Sequence, residues 1–300
     1  MKFLIVGSEG QLGKALQKKL FSLSIPFYNF SRKGLNIEDS SQIHSLLSDL
    51  EFDLIINCAA YTSVDEAERN HRAAFQANEI GPKNLAVFCN NQSKKLIHIS
   101  TDFVFDGSKN TPYVPQDETN PINVYGASKL AGEQHILDCC PEHLIIRTSW
   151  VFGGHGSNFF NTICRLAKSE RNISIIDDQV GTPTYINDLA NAVIFSGKRL
   201  ISSEDSILES IYGTYHYGGS KECSWFEFAE HILSKGKSLK KLPSNHTLHK
   251  IQSSDFKALA NRPKYSALDS SNFCNLFSLK PSNWEKGVDE LFLSQTSEIC

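Results

Sequence analysis

A doubly wound α/β fold, a parallel sheet with helices on both faces and a smaller C-terminal substrate-binding lobe, is the architecture this 300-residue sequence predicts. Two observations carry the prediction. Apolar runs rich in Ile, Val, Leu and Phe recur as KFLIV at 2–6, FYNF at 27–30, DLIIN at 53–57, KLIHIS at 95–100 and HLIIRTS at 143–149, each followed by a stretch with helical spacing. Near-continuous apolar strands alternating with helices suit a parallel sheet buried on both sides. The first run also leads straight into Gly7, Gly10 and Gly13, spaced three apart at the head of a helical stretch.

The elements follow in order. The opening run is far too short for a membrane span or a secretory leader, so it reads as the first strand. Crossover helices are expected over Gln11–Leu23, Ser41–Leu50, Ala73–Asn90 and Val124–Asp138. The third is interrupted by Gly81-Pro82, and proline removes a helical N–H, so a kink or break is predicted there. Past residue 150 the rhythm loosens into a helix at 156–169, a strand at 172–176, a helix at 185–197 and a strand at 213–219. The Ser- and Lys-rich 234–254 reads as surface helix and loop. A dinucleotide-binding domain over 1–150 and a mainly substrate-binding lobe over 151–300 are expected, with about 172–198 and 212–220 returning to the first domain.

At 40% hydrophobic, 21% charged and net charge −3, the chain is of soluble globular type and lacks the basic stripe that a nucleic-acid partner would need. Its eight cysteines contain no CxxC pair, which argues against a zinc site or a disulfide framework and for reduced thiols in a cytoplasmic protein.

The glycine turn suits a diphosphate: glycines permit close backbone approach, and the helix start offers free N–H groups on Gly10, Gln11 and Leu12 at its positive dipole end. After the second strand come Ser31, Arg32 and Lys33, where an acid would select NADH. A hydroxyl and two cations favour a 2′-phosphate, so NADPH is expected to serve at least as well as NADH. Ala59 and Ala60 end the third strand with small side chains that leave room for the cofactor at the sheet's carboxyl edge.

The stretch VYGASKLAGE, 124–133, puts Tyr125 and Lys129 one helical turn apart on one face. An ammonium about 4 Å from a phenolate, at an effective dielectric of about 20, is worth about 4 kcal/mol, or about three pKa units. Lys129 is therefore expected to bring the phenol toward working pH for acid–base catalysis. Ser100 and Thr101, at the end of the fourth strand, supply hydroxyls to orient a substrate oxygen, Thr101 being preferred.

Taken together, the glycine turn, NCAAYTSVDEAE (57–68), STDFVFDG (100–107), NPINVYGASKLAGE (120–133) and RTSWVFGGHGSNF (147–159) resemble the extended short-chain dehydrogenase/reductase family. The likeness runs from Met1 to Leu189 and resumes at NRPKYSALD, 261–269. It implies NAD(P)H-dependent reduction of the C4 ketone of a dTDP-4-dehydro-6-deoxy sugar, converting dTDP-4-dehydro-β-L-rhamnose to dTDP-L-rhamnose. By the same resemblance Tyr125 is the acid, Lys129 holds the nicotinamide ribose, and Thr101 bonds the ketone oxygen. Gly13, Asn36, Ile37, Tyr61 and Thr62 join the cofactor residues. Asp102, Trp150, Asn158 and Arg262 face the substrate, and DDQVGTPT (177–184) returns to the nicotinamide and the sugar. Some relatives hold a divalent ion between subunits through helix-surface glutamates, whereas the first helix here has Ala15 among lysines, so no metal is expected. A homodimer is the base-rate expectation.

Two alternatives stay open. A dehydratase or epimerase of the superfamily shares the fold and the Tyr–Lys pair, but the glutamate that dehydratases carry after the strand-four Thr-Asp is Phe103 here. A non-catalytic regulatory subunit of the kind that serves methionine adenosyltransferase would share the fold too, with part of the catalytic set lost; here Thr101, Tyr125 and Lys129 are all present.

Overall fold

The computed structural model describes residues 1–202 and 211–294; Cys300 lies outside them. The first half runs β1 (Phe3–Val6), α1 (Gln11–Ser22), β2 (Phe27–Phe30), α2 (Ser40–Leu47), β3 (Leu54–Asn57), α3 (Val64–Ala67), α4 (His71–Phe75), α5 (Gly81–Asn91), β4 (Lys95–Thr101), α6 (Val124–Cys139) and β5 (His143–Thr148). Then come β6 (Val151–Phe152), α7 (Phe159–Ser169), β7 (Asn172–Ile176), β8 (Val180–Gly181), β9 (Thr184–Tyr185), α8 (Ile186–Ser202), β10 (Gly213–His216), β11 (Cys223–Ser224), α9 (Trp225–Ser238) and β12 (Thr247–Ile251), with closing helices Ser271–Phe277 and Trp284–Ser294.

Six strands form the main sheet in the order β10-β5-β4-β3-β1-β2, all parallel. Alternation along β1 shows why helices lie on both sides. Phe3 and Ile5 join one apolar cluster with Leu16 and Val193, while Leu4 and Val6 join another with Ile43 and Leu85. The strand order reverses at β1, whose neighbours are β2 and β3, and ligands of open α/β sheets bind outside the carboxyl ends at such a reversal.

The predicted break at Gly81-Pro82 falls one turn earlier. α4 passes into a π-helical turn, Gln76–Ile80, before α5 begins with Pro82 in its first turn. Pro82 offers no N–H to the turn before it, which relaxes the regular ladder there.

The stretch 172–198 divides. α8 packs on α1, and Gly197 sits so close to the sheet that an added Cβ would lie 2.7 Å from Phe3. β7, by contrast, pairs in parallel with β12 in a separate two-stranded sheet. That pairing corrects the reading of 234–254 as helix and loop, since Thr247–Ile251 is a strand with Leu248 opposite Ile173 and Ile251 opposite Ile176. Among the described residues no helix is long and apolar enough to cross a membrane.

Candidate functional site

The first glycine turn is shaped by contact. Gly7 has φ +80°, and an added Cβ would lie 2.5 Å from the Ala59 nitrogen; at Gly13 it would lie 2.4 Å from the Gly7 carbonyl oxygen. α1 starts at Gly10 with no side-chain cap and no acid in its first turn. α2, α6 and α7 are capped by Asp39, Asn123 and Asn158. An uncapped helix start over a glycine floor leaves N–H groups free for a diphosphate.

A cleft of about 330 Å³ opens beside this turn, lined by Gly7, Gly10, Arg32, Asn36, Ile37 and Ala59–Thr62, and also by Glu38, Cys58 and Ala77. These residues fit a dinucleotide. Ser31 does not line the cleft, and its carbonyl closes a turn by accepting from Gly34 and Leu35 N–H. Arg32 Nη2 pairs with Glu38 Oε1 at 3.1 Å, so the cation expected for the 2′-phosphate has an acid beside it that the sequence reading missed. The wall at Tyr61 is braced from the π turn. Asn78 is fully buried, accepts from Tyr61 N–H at 2.7 Å and donates to Tyr61 O and Ser128 Oγ, each at 3.0 Å.

The second half of the site forms where α6 meets the end of β4. Asn123 accepts from Gly126 N–H and donates to Asn261 O at 2.8 Å, which ties the first turn of α6 to the loop before Arg262. Gly126 lets that turn lie flat on β4, since a Cβ there would be 2.1 Å from Phe103 O. Tyr125, Thr101 and Asp102 are thereby brought together. The Asp102 carboxyl accepts from Thr101 Oγ1 at 3.0 Å, and its Oδ2 has no hydrogen-bond partner. Burial raises the Asp102 pKa to about 6 against the pull of the Ser266 and Thr101 hydroxyls. The Phe103 ring meets Tyr125 edge-on with centroids 5.6 Å apart.

One expectation is corrected here. Burial raises the Tyr125 phenol to about 12, the Thr101 hydroxyl lowers it and Asp102 raises it; Lys129 is not among the groups that set it. The lysine stem instead carries its nitrogen to the strands, where it donates to Ile99 O at 2.7 Å and lies 3.0 Å from His98 Nε2. Near neutral pH the phenol is therefore a protonated donor.

A second cleft, about 850 Å³, lies against the segment leading into α6 and is lined by Asn120 and Ile122, Trp225 and Phe159, Ser253, Ser254 and Phe256, and Arg262 and Lys264. Ser253, Ser254, Phe256 and Ala258 of this wall fall between the stretches that carry the family resemblance, 1–189 and 261–269. Arg262 faces the cleft but is held in a bidentate pair with Asp65, Nη2 to Oδ2 at 2.7 Å and Nη1 to Oδ1 at 3.3 Å.

Two other expected substrate residues are turned to structural use. Asn158 accepts from Asn161 N–H to cap α7 and donates to Gln11 Oε1 and Gly153 O, each at 2.9 Å, and it does not line the cleft. Trp150, with φ +47°, lies flat against Trp225 with centroids 3.4 Å apart, so Trp225 is the indole on the cleft. The 177–184 loop is fastened to the start of α9 and to the residues after β12: Gln179 accepts from Trp225 Nε1 at 3.2 Å, and Asp178 accepts from Ser253 N–H at 2.7 Å. Among the described residues no group of three or more His, Cys, Asp or Glu side chains could hold a metal ion.

A parallel sheet reversing at a glycine turn, with a tyrosine and a lysine on the helix beside its fourth strand, defines a dinucleotide-binding protein of the short-chain dehydrogenase/reductase class. Within that class the chain belongs to the RmlD substrate binding domain family, whose model matches residues 1–296. It is 36% identical over 293 residues to the dTDP-4-dehydrorhamnose reductase of Aggregatibacter actinomycetemcomitans, covering 97% of this chain and 98% of that protein. Its fold matches the solved dTDP-4-dehydrorhamnose reductase of Bacillus anthracis in complex with NADP, with a TM-score of 0.88 and 37% identity over 98% of this chain and 99% of that one. It matches that of Clostridium acetobutylicum with a TM-score of 0.88 and 34% identity over 98% and 100%.

Proposed function

We propose that this protein is an NADPH-dependent reductase that converts the C4 ketone of dTDP-4-dehydro-β-L-rhamnose to the alcohol of dTDP-L-rhamnose. The observation that carries the reading is the meeting of Tyr125, Thr101 and Asp102 at the junction of α6 and β4. On one side β3, paired with β4, runs into Cys58–Thr62 of the glycine-floored cleft; on the other, Asn123 is bonded to Asn261 of the larger one.

Each residue has a role its surroundings support. The N–H groups at the start of α1 hold the cofactor diphosphate, and Arg32 serves the 2′-phosphate; when bound, the cofactor supplies a hydride to the carbonyl carbon. Tyr125, protonated at neutral pH, delivers H⁺ to the C4 oxygen as negative charge gathers there, and Thr101 orients that oxygen. Lys129 serves the ribose. Phe103 packs on Tyr125 where elimination would need a second carboxylate, which favours reduction over dehydration. In the larger cleft Arg262 and Lys264 offer cations to the substrate diphosphate, and Trp225 and Phe256 offer apolar faces to its base.

The test is direct. Purified protein is mixed with dTDP-4-dehydrorhamnose and NADPH, nicotinamide absorbance is followed, and the product is identified as dTDP-rhamnose. Cofactor left unoxidised would defeat the proposal and point to a binding role.

A further inference from the structure

We infer that His98 is a positioning residue that stores Lys129 as a neutral amine in the ligand-free enzyme, with its imidazole tautomer fixed by Asn57. The inference rests on the reading of Lys129 as a cofactor-side residue of the reductase.

Asn57 and His98 face each other across the β3–β4 pairing, both fully buried, and Lys129 is 1% exposed. The backbone N–H of Ala59 points at Asn57 Oδ1, 3.0 Å away, which settles the amide's orientation because a backbone N–H only donates. The Asn57 NH₂ group is then what meets His98 Nδ1 at 3.0 Å, so that ring nitrogen is the bare acceptor. A neutral imidazole with Nδ1 bare carries its proton on Nε2, and Nε2 is the atom 3.0 Å from Lys129 Nζ.

An ammonium has three donors and no lone pair, so it cannot accept from Nε2–H; a neutral amine accepts there and donates to Ile99 O at 2.7 Å. Turning the Asn57 amide or switching the tautomer only moves the donor–donor clash to Ala59 or to Nδ1. All four contacts are satisfied together in one pattern, the one with an uncharged lysine.

The surrounding charges agree with that pattern. From α6, Glu133 favours the ammonium, but its carboxylate is taken up by Arg147 of β5, Nη2 to Oε2 at 2.7 Å. From β3, Cys58 remains a thiol because burial raises it to about 12. Burial holds the His98 pKa well below its ordinary value, so the ring stays neutral. Burial also draws Lys129 down to about 8, and a donor aimed at its lone pair acts in the same direction.

The experiment is NMR on the ligand-free full chain labelled with ¹⁵N-histidine and ¹³Cε-lysine, with Lys129→Arg and His98→Leu identifying the resonances. The expected result is His98 protonated on Nε2 and bare on Nδ1, with the Lys129 methylene at its neutral-amine position at about pH 8. In His98→Leu the lysine titration should move up by about one pH unit, because the neutral form loses its hydrogen bond. A proton on Nδ1, or a Lys129 that stays an ammonium up to about pH 9, overturns the inference. Both wild-type signals are read without turnover, so they stand or fall apart from the reductase assay. Should His98→Leu not fold, those signals still decide.

Discussion

Arg262 and Asp65, 197 positions apart in the chain, form a bidentate ion pair, with Nη2 and Oδ2 2.7 Å apart. Asp65 opens the short helix after β3, and its Oδ1 also accepts from the backbone N–H groups of Leu259 and Ala260, each at 3.0 Å. One carboxylate from the short helix after β3 therefore holds the loop that walls the larger cleft.

The first prediction follows from that tie. Asp65→Asn removes the charge that seats Arg262, so KM for the nucleotide sugar should rise about tenfold while KM for NADPH stays unchanged. The pair is partly exposed, so the effect belongs to loop placement more than to global stability. Hydrogen bonding from Arg262 depresses the Asp65 pKa from 3.8 to about 2 against the opposing effect of burial. The contribution is complete above the unfolded value and is lost as pH falls through the folded one. Steady-state kinetics with each substrate varied checks the claim, and equal changes in both KM values would sink it.

Tyr125→Phe should lower kcat by about 10²–10⁴-fold, the range for a proton-transfer group, while leaving the melting temperature nearly unchanged. The ring survives in the variant, so its edge contact with Phe103 at 5.6 Å survives as well. A single-turnover absorbance assay beside a thermal melt separates chemistry from folding; a modest loss of rate would remove the phenol from the proton path.

Gly126→Ala tests whether closeness of α6 to β4 assembles the site. The new methyl would stand 2.1 Å from Phe103 O, a backbone atom that cannot step aside alone. The first turn of α6 must then lift, separating Tyr125 from Thr101. The expected outcome is a fall in kcat of at least about tenfold with NADPH affinity preserved, plus a lower melting temperature. Wild-type kcat in this variant would show that the junction tolerates a looser fit.

Arg32→Ala should raise KM for NADPH about tenfold and leave NADH within about twofold, since only the phosphorylated cofactor engages the guanidinium. Glu38→Gln should act the other way, because Glu38 pairs with Arg32 at 3.1 Å and places negative charge near the same group. Comparing kcat/KM for both cofactors in both variants is the measurement. Parallel losses with NADH and NADPH would rule out a selective role.

What sequence could show was set by local pattern. The alternation of Phe3 and Ile5 with Leu4 and Val6 announces a strand buried on two faces, and Gly7 and Gly13 sit where a Cβ has no room. The four-residue spacing of Tyr125 and Lys129 put both on one face of a helix. It did not say where a four-carbon stem would end, and the amine ended on Ile99 O beside His98. Motif likeness likewise could not show that Asn158 caps α7 and donates to Gln11. The wall built by Ser253, Ser254 and Phe256 follows β12, which pairs with β7. No local period encodes a partner that distant in the chain.

Asp102→Asn is expected to stabilise the protein while impairing it. The carboxyl is 2% exposed, leaves Oδ2 unbonded, and has its pKa raised from 3.8 to about 6, chiefly by burial. Below about pH 4 it is protonated in folded and unfolded chains alike and has no effect on the balance. Between about pH 4 and pH 6 the unfolded chain ionises first, so the folded state loses ground as pH rises; above that the penalty levels off at about 3 kcal/mol. Asparagine has no charge to bury, and its Oδ1 still accepts from Thr101. The melting temperature of Asp102→Asn should therefore match wild type near pH 4 and exceed it by several degrees near pH 7. kcat should fall, because the carboxylate that Thr101 leans on at 3.0 Å is gone. Such a buried cost, retained beside the proposed proton donor, is what a site kept for chemistry rather than stability would show. Melting curves of the two proteins that stay parallel from pH 4 to pH 8 would show that Asp102 carries no such cost.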